Sequence, residues 1–183
     1  MTTKSLNVTC IGAGVIGSGW AARLLVNGIN VTVFDEQPES YHRTNSSIKR
    51  AKKYISQLTK APLRTIGNLT FAKTLEDALK IPNYIIESLP ENLQLKRQLY
   101  KEIEEISIDT IILSSTSGFR PTNLQKDMKN PTNLIVTHPF NPVYLMPLVE
   151  LVPGQARDQN SIADVQHLLE YIGMVPVLSL IHI

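Results

Sequence analysis

The stretch CIGAGVIGSGWAAR, residues 10–23, constrains this chain more than any other. It sets Gly12, Gly14 and Gly17 in G-x-G-x-x-G spacing, directly after an apolar strand-like segment and at the opening of a helix. In that context each glycine has its own task. Gly12 permits the tight turn, Gly14 lets the backbone approach a pyrophosphate, and Gly17 lets helix and strand pack closely, while the helix N-terminus attracts the anion. The next strand ends in Val33-Phe34-Asp35, which puts a carboxylate 18 residues beyond Gly17, close to the distance expected for an acceptor of adenosine ribose hydroxyls. Glu36 and Gln37 follow, so no arginine stands there to neutralise a 2′-phosphate, and NAD is expected rather than NADP.

The rest of the chain alternates between β-branched apolar runs and amphipathic stretches, the pattern of parallel strands joined by crossover helices. Strands are expected over Leu6–Ile11, Val31–Phe34, Leu69–Phe71, Tyr84–Ser88, Thr110–Leu113, Leu134–Thr137, Leu148–Val152 and Val175–Leu180. Helices are expected over Ile16–Val26, over a long segment from Glu39 that shows one face with Ile48, Ala51, Ile55 and Leu58, over Leu93–Ile106 and over Ile162–Ile172. Gly28 and Gly173 suit left-handed helix ends. The expected fold is a doubly wound, mostly parallel α/β sheet of the Rossmann type, with residues 1–183 as one NAD-binding domain. With 43% hydrophobic residues such a chain can bury a core, and a net charge of +2 argues against nucleic acid or a membrane surface as partner. The single cysteine, Cys10, reads as a small buried hydrophobe. One thiol and no signal-like or roughly 20-residue apolar run point to the cytoplasm. No metal site is expected.

A second constellation sits in THPFNPVYLMPLVEL, residues 137–151. Strand ends on the carboxyl edge of such a sheet line the cofactor crevice, so His138 emerges there. Glu150 lies inside the apolar run LVELV, where an unpaired carboxylate would cost several kcal/mol, so it needs a cationic or N–H partner. A histidine held by that carboxylate keeps one ring nitrogen protonated and leaves the other free to take a substrate proton. The segment Leu113-Ser114-Ser115-Thr116-Ser117-Gly118 reaches the same edge. Any of its hydroxyls can meet a substrate hydroxyl, and a simple capping loop is the alternative. The basic run KRAKKY, with Lys49, Arg50, Lys52 and Lys53, spreads around its helix and reads as a solvated face, phosphate binding being the less favoured use.

The motifs GAGVIGSGWAAR, ESLPENLQLK, SSTSGFRP, HPFNPVYLMPLVE and YIGMVP, in this order along nearly the whole chain, resemble the 3-hydroxyacyl-CoA dehydrogenase superfamily, and within it the L-carnitine 3-dehydrogenases. The resemblance implies oxidation of a 3-hydroxy acid, with His138 as general base, Glu150 as its orienting partner and Ser117 at the substrate hydroxyl. It also implies Asn141 beside substrate and nicotinamide, and Glu91 and Lys96 on the cofactor side. If carnitine is the substrate, Tyr144 or Phe140 can face its trimethylammonium and Arg120 its carboxylate. A 3-hydroxybutyryl-CoA type of dehydrogenase and an NAD-binding module without turnover are the alternatives. Nothing in the chain resembles the helical domain that follows in the family, and the resemblance implies a homodimer for a chain that carries it. The cofactor expectation is checked by titration: NAD should bind, and NADPH binding of comparable strength would contradict the reading of Asp35.

Overall fold

The computed structural model describes residues 6–58 and 64–179. Eight strands form one sheet: β1 Asn7–Ile11, β2 Asn30–Phe34, β3 Leu69–Phe71, β4 Tyr84–Glu87, β5 Ile111–Ser114, β6 Leu134–Pro139, β7 Leu148–Pro153 and β8 Val175–Leu178. Their order is β3-β2-β1-β4-β5-β6-β7-β8, with the chain reversing direction once, at the antiparallel β6–β7 pair. The other neighbouring pairs are parallel, so the expected architecture stands. The helices are α1 Val15–Val26, α2 Ser40–Leu58, α3 Leu75–Ala78, α4 Leu93–Ile106, α5 Pro121–Leu124 and α6 Gln159–Tyr171. Leu58 lies outside the described side chains, and Leu180, expected to extend β8, lies outside the described residues.

Alternation along the strands separates two cores. Val8, Cys10, Ile86, Leu113, Ile135 and Leu151 pack with Trp20, Leu24 and Leu168 on one face. Ile11, Ile85, Ile112, Leu134 and Val152 pack with Leu99, Tyr100 and Ile103 on the other. Helix α1 is buried from Gly17 to Val26, which is why its sequence shows so little polar face. Trp20 is its largest buried side chain, and its indole N–H donates to Ser115 Oγ at 3.1 Å. Burial of the Cys10 thiol pushes its pKa up to about 12, so it is an inert core group.

Helix ends follow their capping residues. Asn92 accepts from the Leu95 N–H at 3.0 Å to start α4, and Asp158 accepts from the Ser161 N–H at 2.7 Å to start α6. Gly28 and Gly173 have φ of 85° and 73°, as a left-handed helix exit requires. The one-turn helices α3 and α5 escape a periodicity reading, although Thr74 capping the Asp77 N–H and Pro121 at the first turn of α5 were available signals. Among the described residues no helix is long and apolar enough to cross a membrane.

Trp20→Ala empties a fully enclosed site and removes a hydrogen-bond donor. The expected cost is about 3–5 kcal/mol in urea unfolding, and a loss well under about 1 kcal/mol would show that α1 is not docked as described.

Candidate functional site

The three fingerprint glycines each meet a physical requirement. Gly12 has φ 82°, and a Cβ there would stand 2.7 Å from the Ser88 carbonyl oxygen. A Cβ on Gly17 would run into the Gly12 carbonyl oxygen, so α1 could not lie so close to β1. A Cβ on Gly14 would meet nothing within 4 Å, which leaves its backbone open to the cleft. Asp35, at the end of β2, accepts from the Ala13 N–H at 2.6 Å and the Gln37 N–H at 2.7 Å. Each of its oxygens retains lone-pair capacity for a ribose hydroxyl.

These residues border a cleft of about 680 Å³ whose apolar wall includes Phe34, Leu75, Leu89, Leu95 and Leu99. An open glycine backbone at a helix start, a carboxylate and an apolar wall suit the pyrophosphate, ribose and adenine of NAD respectively. The sequence shows no basic residue immediately after Asp35, yet α2 returns Arg43 to this cleft, where its Nε donates to the Ala13 carbonyl at 3.1 Å. Asp35 and Glu36 line the same space, so the carboxylates outnumber that guanidinium beside the ribose position.

Glu87, at the end of β4, is fully enclosed, and so is Lys96 of α4, with side-chain exposures of 0% and 1%. Lys96 Nζ lies 2.7 Å from Glu87 Oε1, donates to the Leu89 carbonyl at 3.1 Å and lies 3.6 Å from Glu91 Oε2. Tyr100 and Ser114 hydroxyls each donate to Glu87 Oε2 at 2.6 Å. Burial first, and then the charge of Glu87, hold the Tyr100 phenol well above its ordinary range. Lys96 was expected on the cofactor side; its ammonium is enclosed and does not border the 680 Å³ cleft. The sequence signal for that burial was its place on the inward stripe of α4, with Leu99, Tyr100 and Ile103.

Glu91 carries this network to the next loop. Its Oε1 accepts from the Thr116 hydroxyl, from the Ser117 N–H at 3.2 Å and from the Gly118 N–H at 2.8 Å. Burial alone would raise the Glu91 carboxyl, but the Thr116 and Gly118 hydrogen bonds, the Lys96 charge and the Ser117 N–H outweigh it, and the net direction is downward. Glu91 therefore holds the loop that presents Ser117, whose side chain is exposed. Beside it, Ser115 Oγ accepts from both Trp20 and Ser88, at 3.1 and 3.0 Å.

His138 and Glu150 are direct partners in the antiparallel β6–β7 register. His138 Nδ1 lies 3.5 Å from Glu150 Oε2, with side-chain exposures of 33% and 37%, so the pair is sheltered yet reachable. Phe140 lies against the imidazole with ring centroids 5.8 Å apart. The following loop contains the cis Asn141–Pro142 bond and is anchored from below by Arg23. Arg23 donates to the Ile172 carbonyl at 3.0 Å, to the Val143 carbonyl at 3.4 Å and to the Gly173 carbonyl. Desolvation lowers the Arg23 pKa from its high ordinary value. Nothing in the sequence distinguished this arginine except its place on a helix that has no polar face.

Asn141 and Tyr144 share a second cavity, of about 570 Å³, with Arg43 and Arg50. Arg120, expected near a substrate carboxylate, is an exposed residue at the start of α5 and lines neither cavity. Arg50, read as part of a solvated face, is exposed and also borders this cavity. Among the described residues no group of His, Cys, Asp and Glu is placed to hold a metal ion.

Comparison with known proteins agrees with this geometry. The family model described as "3-hydroxyacyl-CoA dehydrogenase, NAD binding domain" matches residues 7–180. An L-carnitine dehydrogenase of Mesorhizobium japonicum is 45% identical over 170 residues, covering 92% of this chain and 47% of the relative. An L-carnitine dehydrogenase/betainyl-CoA thioesterase of Rhizobium meliloti is 42% identical over 179 residues, 97% of this chain and 36% of the relative. Among solved structures, an NAD+-dependent dismutase, 5-formyl-3-hydroxy-2-methylpyridine 4-carboxylic acid 5-dehydrogenase, superposes with TM-score 0.87 at 31% identity, covering 95% of this chain and 57% of that one. The 3-hydroxybutyryl-CoA dehydrogenase of Escherichia coli gives TM-score 0.85 at 27% identity, over 96% of this chain and 38% of that one. The chain thus spans about half or less of the length of these two curated relatives. A glycine turn shaped for a dinucleotide and a family match over residues 7–180 lead to one conclusion: the chain belongs to the 3-hydroxyacyl-CoA dehydrogenase family, within its NAD-binding domain.

Proposed function

We propose that residues 1–183 are the NAD-binding domain of a cytoplasmic dehydrogenase that oxidises a 3-hydroxy acid, L-carnitine to 3-dehydrocarnitine in the first instance. The observation that carries this reading is the 3.5 Å approach of His138 Nδ1 to Glu150 Oε2 at the carboxyl edge of the sheet. Relatives named as L-carnitine dehydrogenases support the choice of substrate.

NAD, when bound, supplies the hydride acceptor. This chain's residues do the rest. Glu150, 3.5 Å from Nδ1, favours the tautomer with the proton on Nδ1 and leaves Nε2 as a base. His138 removes the proton of the 3-hydroxyl as the hydrogen on the same carbon leaves with its electron pair, so the alcohol becomes a ketone and one proton is released. Ser117 orients the hydroxyl oxygen, and Glu91 holds the Ser117 loop in place. Asn141 and Tyr144 border the space that the rest of the substrate enters.

His138→Gln is expected to lower kcat for NADH formation from L-carnitine by about 10²–10⁴-fold, while the affinity for NAD stays within about twofold of wild type, since His138 does not line the 680 Å³ cleft beside Asp35. Lost NAD binding in a folded variant would contradict the assignment, and NADH formation from 3-hydroxybutyryl-CoA in place of carnitine would move the substrate to the thioester class.

The downward shift of Glu91 means that its contribution to stability is fully present above the ordinary glutamate value of about 4.3 and is lost as pH falls through its lower folded value. Urea unfolding of wild type and Glu91→Gln should therefore differ at neutral pH and converge below about pH 4; a gap that persists undiminished into acid would refute the role given to Glu91.

A further inference from the structure

The 570 Å³ cavity beside the dinucleotide cleft is built from the start of α1, one face of α2 and the β6–β7 loop. His42, Arg43, Ser46, Ser47 and Arg50 recur at helical spacing along α2, so they look to one side, and Asn141 and Tyr144 face them from the loop that begins two residues after His138. Three basic side chains line the space and no carboxylate does. Arg43 also borders the dinucleotide cleft and donates to the Ala13 carbonyl. The Arg50 side chain is exposed and, among the described residues, its guanidinium makes no ion pair or hydrogen bond.

A pocket of that charge repels a cationic headgroup and suits an anion. A guanidinium presents a planar fork of N–H donors that matches a carboxylate in two parallel hydrogen bonds. We infer that the cavity between α1, α2 and the β6–β7 loop is a carboxylate subsite, in which Arg50, with Arg43, recognises the acid end of the substrate and selects free hydroxy acids over their esters. The assignment rests on the dehydrogenase reading above and deepens it. It gives the carboxylate to α2 and not to Arg120, and it directs the trimethylammonium end of a carnitine-like molecule away from the arginines.

The test uses a substrate analogue that cannot react, 4-(trimethylammonio)butanoate, which keeps the carboxylate and lacks the hydroxyl, together with its methyl ester. Both are titrated calorimetrically into the chain saturated with NAD. The acid should bind at least about tenfold more tightly than the ester, as expected for a charge-assisted, bidentate contact. Arg50→Gln should abolish that preference and Arg50→Lys should restore part of it, with NAD affinity unchanged in both. Equal binding of acid and ester by wild type, an undiminished preference in Arg50→Gln, or no binding of the acid at all would overturn the subsite. So would Arg50-dependent binding of 3-hydroxybutyryl-CoA without binding of the acid, which would assign the pocket to phosphate. NADH formation from L-carnitine separates the two levels: Arg50-dependent binding without turnover keeps the subsite and removes the dehydrogenase reading. Turnover with an unchanged KM in Arg50→Gln does the reverse.

Discussion

The reversal of chain direction between β6 and β7 is the constraint from which the candidate chemistry follows. Strand β6 runs toward the carboxyl edge of the sheet, as its parallel neighbour β5 does, and ends at His138 and Pro139. Only residues 140–147 separate it from β7, too few for a crossover helix, so β7 must return antiparallel. That return sets Glu150 directly across from His138. Had β7 entered the sheet parallel to β6, a residue near its start would have lain at the opposite edge, with no route to the imidazole. Arg23, from the core of α1, ties the returning loop at the Val143 carbonyl to the Ile172 and Gly173 carbonyls between α6 and β8.

A second fixed point lies under the neighbouring loops. Glu87 and Lys96 are an enclosed ion pair, and such a pair is tolerated only when the remaining lone pairs and protons are satisfied. Here they are: Tyr100, Ser114 and the Leu89 N–H complete Glu87, while the Leu89 carbonyl and Glu91 complete Lys96. The network ties the end of β4 to the end of β5, and through Glu91 it reaches the backbone of Ser117 and Gly118. Rigidity at the Ser117 loop thus derives in part from an ion pair enclosed beneath it.

Much of this architecture is legible in the chain itself, for reasons that differ from residue to residue. Gly12 and Gly17 are readable because no other residue fits their backbone angle or their close contact. Asp35 is readable because a strand must end where the cleft begins. The His138–Glu150 pairing is legible because an isolated carboxylate in an apolar strand needs a partner and one histidine was nearby. What failed was placement that depends on the third dimension. The direction of β7 was not drawn from the short Pro-rich connection, although its length excludes a crossover. Lys96 and Arg50 belong to one helix type and the same charge class, yet one is enclosed and the other borders a cavity, because each points where its helix face happens to pack. Arg120 and Arg50 could be ranked only once the cavity was seen.

The central claim, that Glu150 fixes His138 as a base, is a statement about one proton. Nitrogen-15 NMR of the His138 ring at neutral to mildly alkaline pH measures it directly. The account predicts that the proton resides on Nδ1, toward Glu150, leaving Nε2 bare, and that Glu150→Ala abolishes that bias. A proton resident on Nε2 in the wild-type chain, or a tautomer unchanged in the variant, would contradict it.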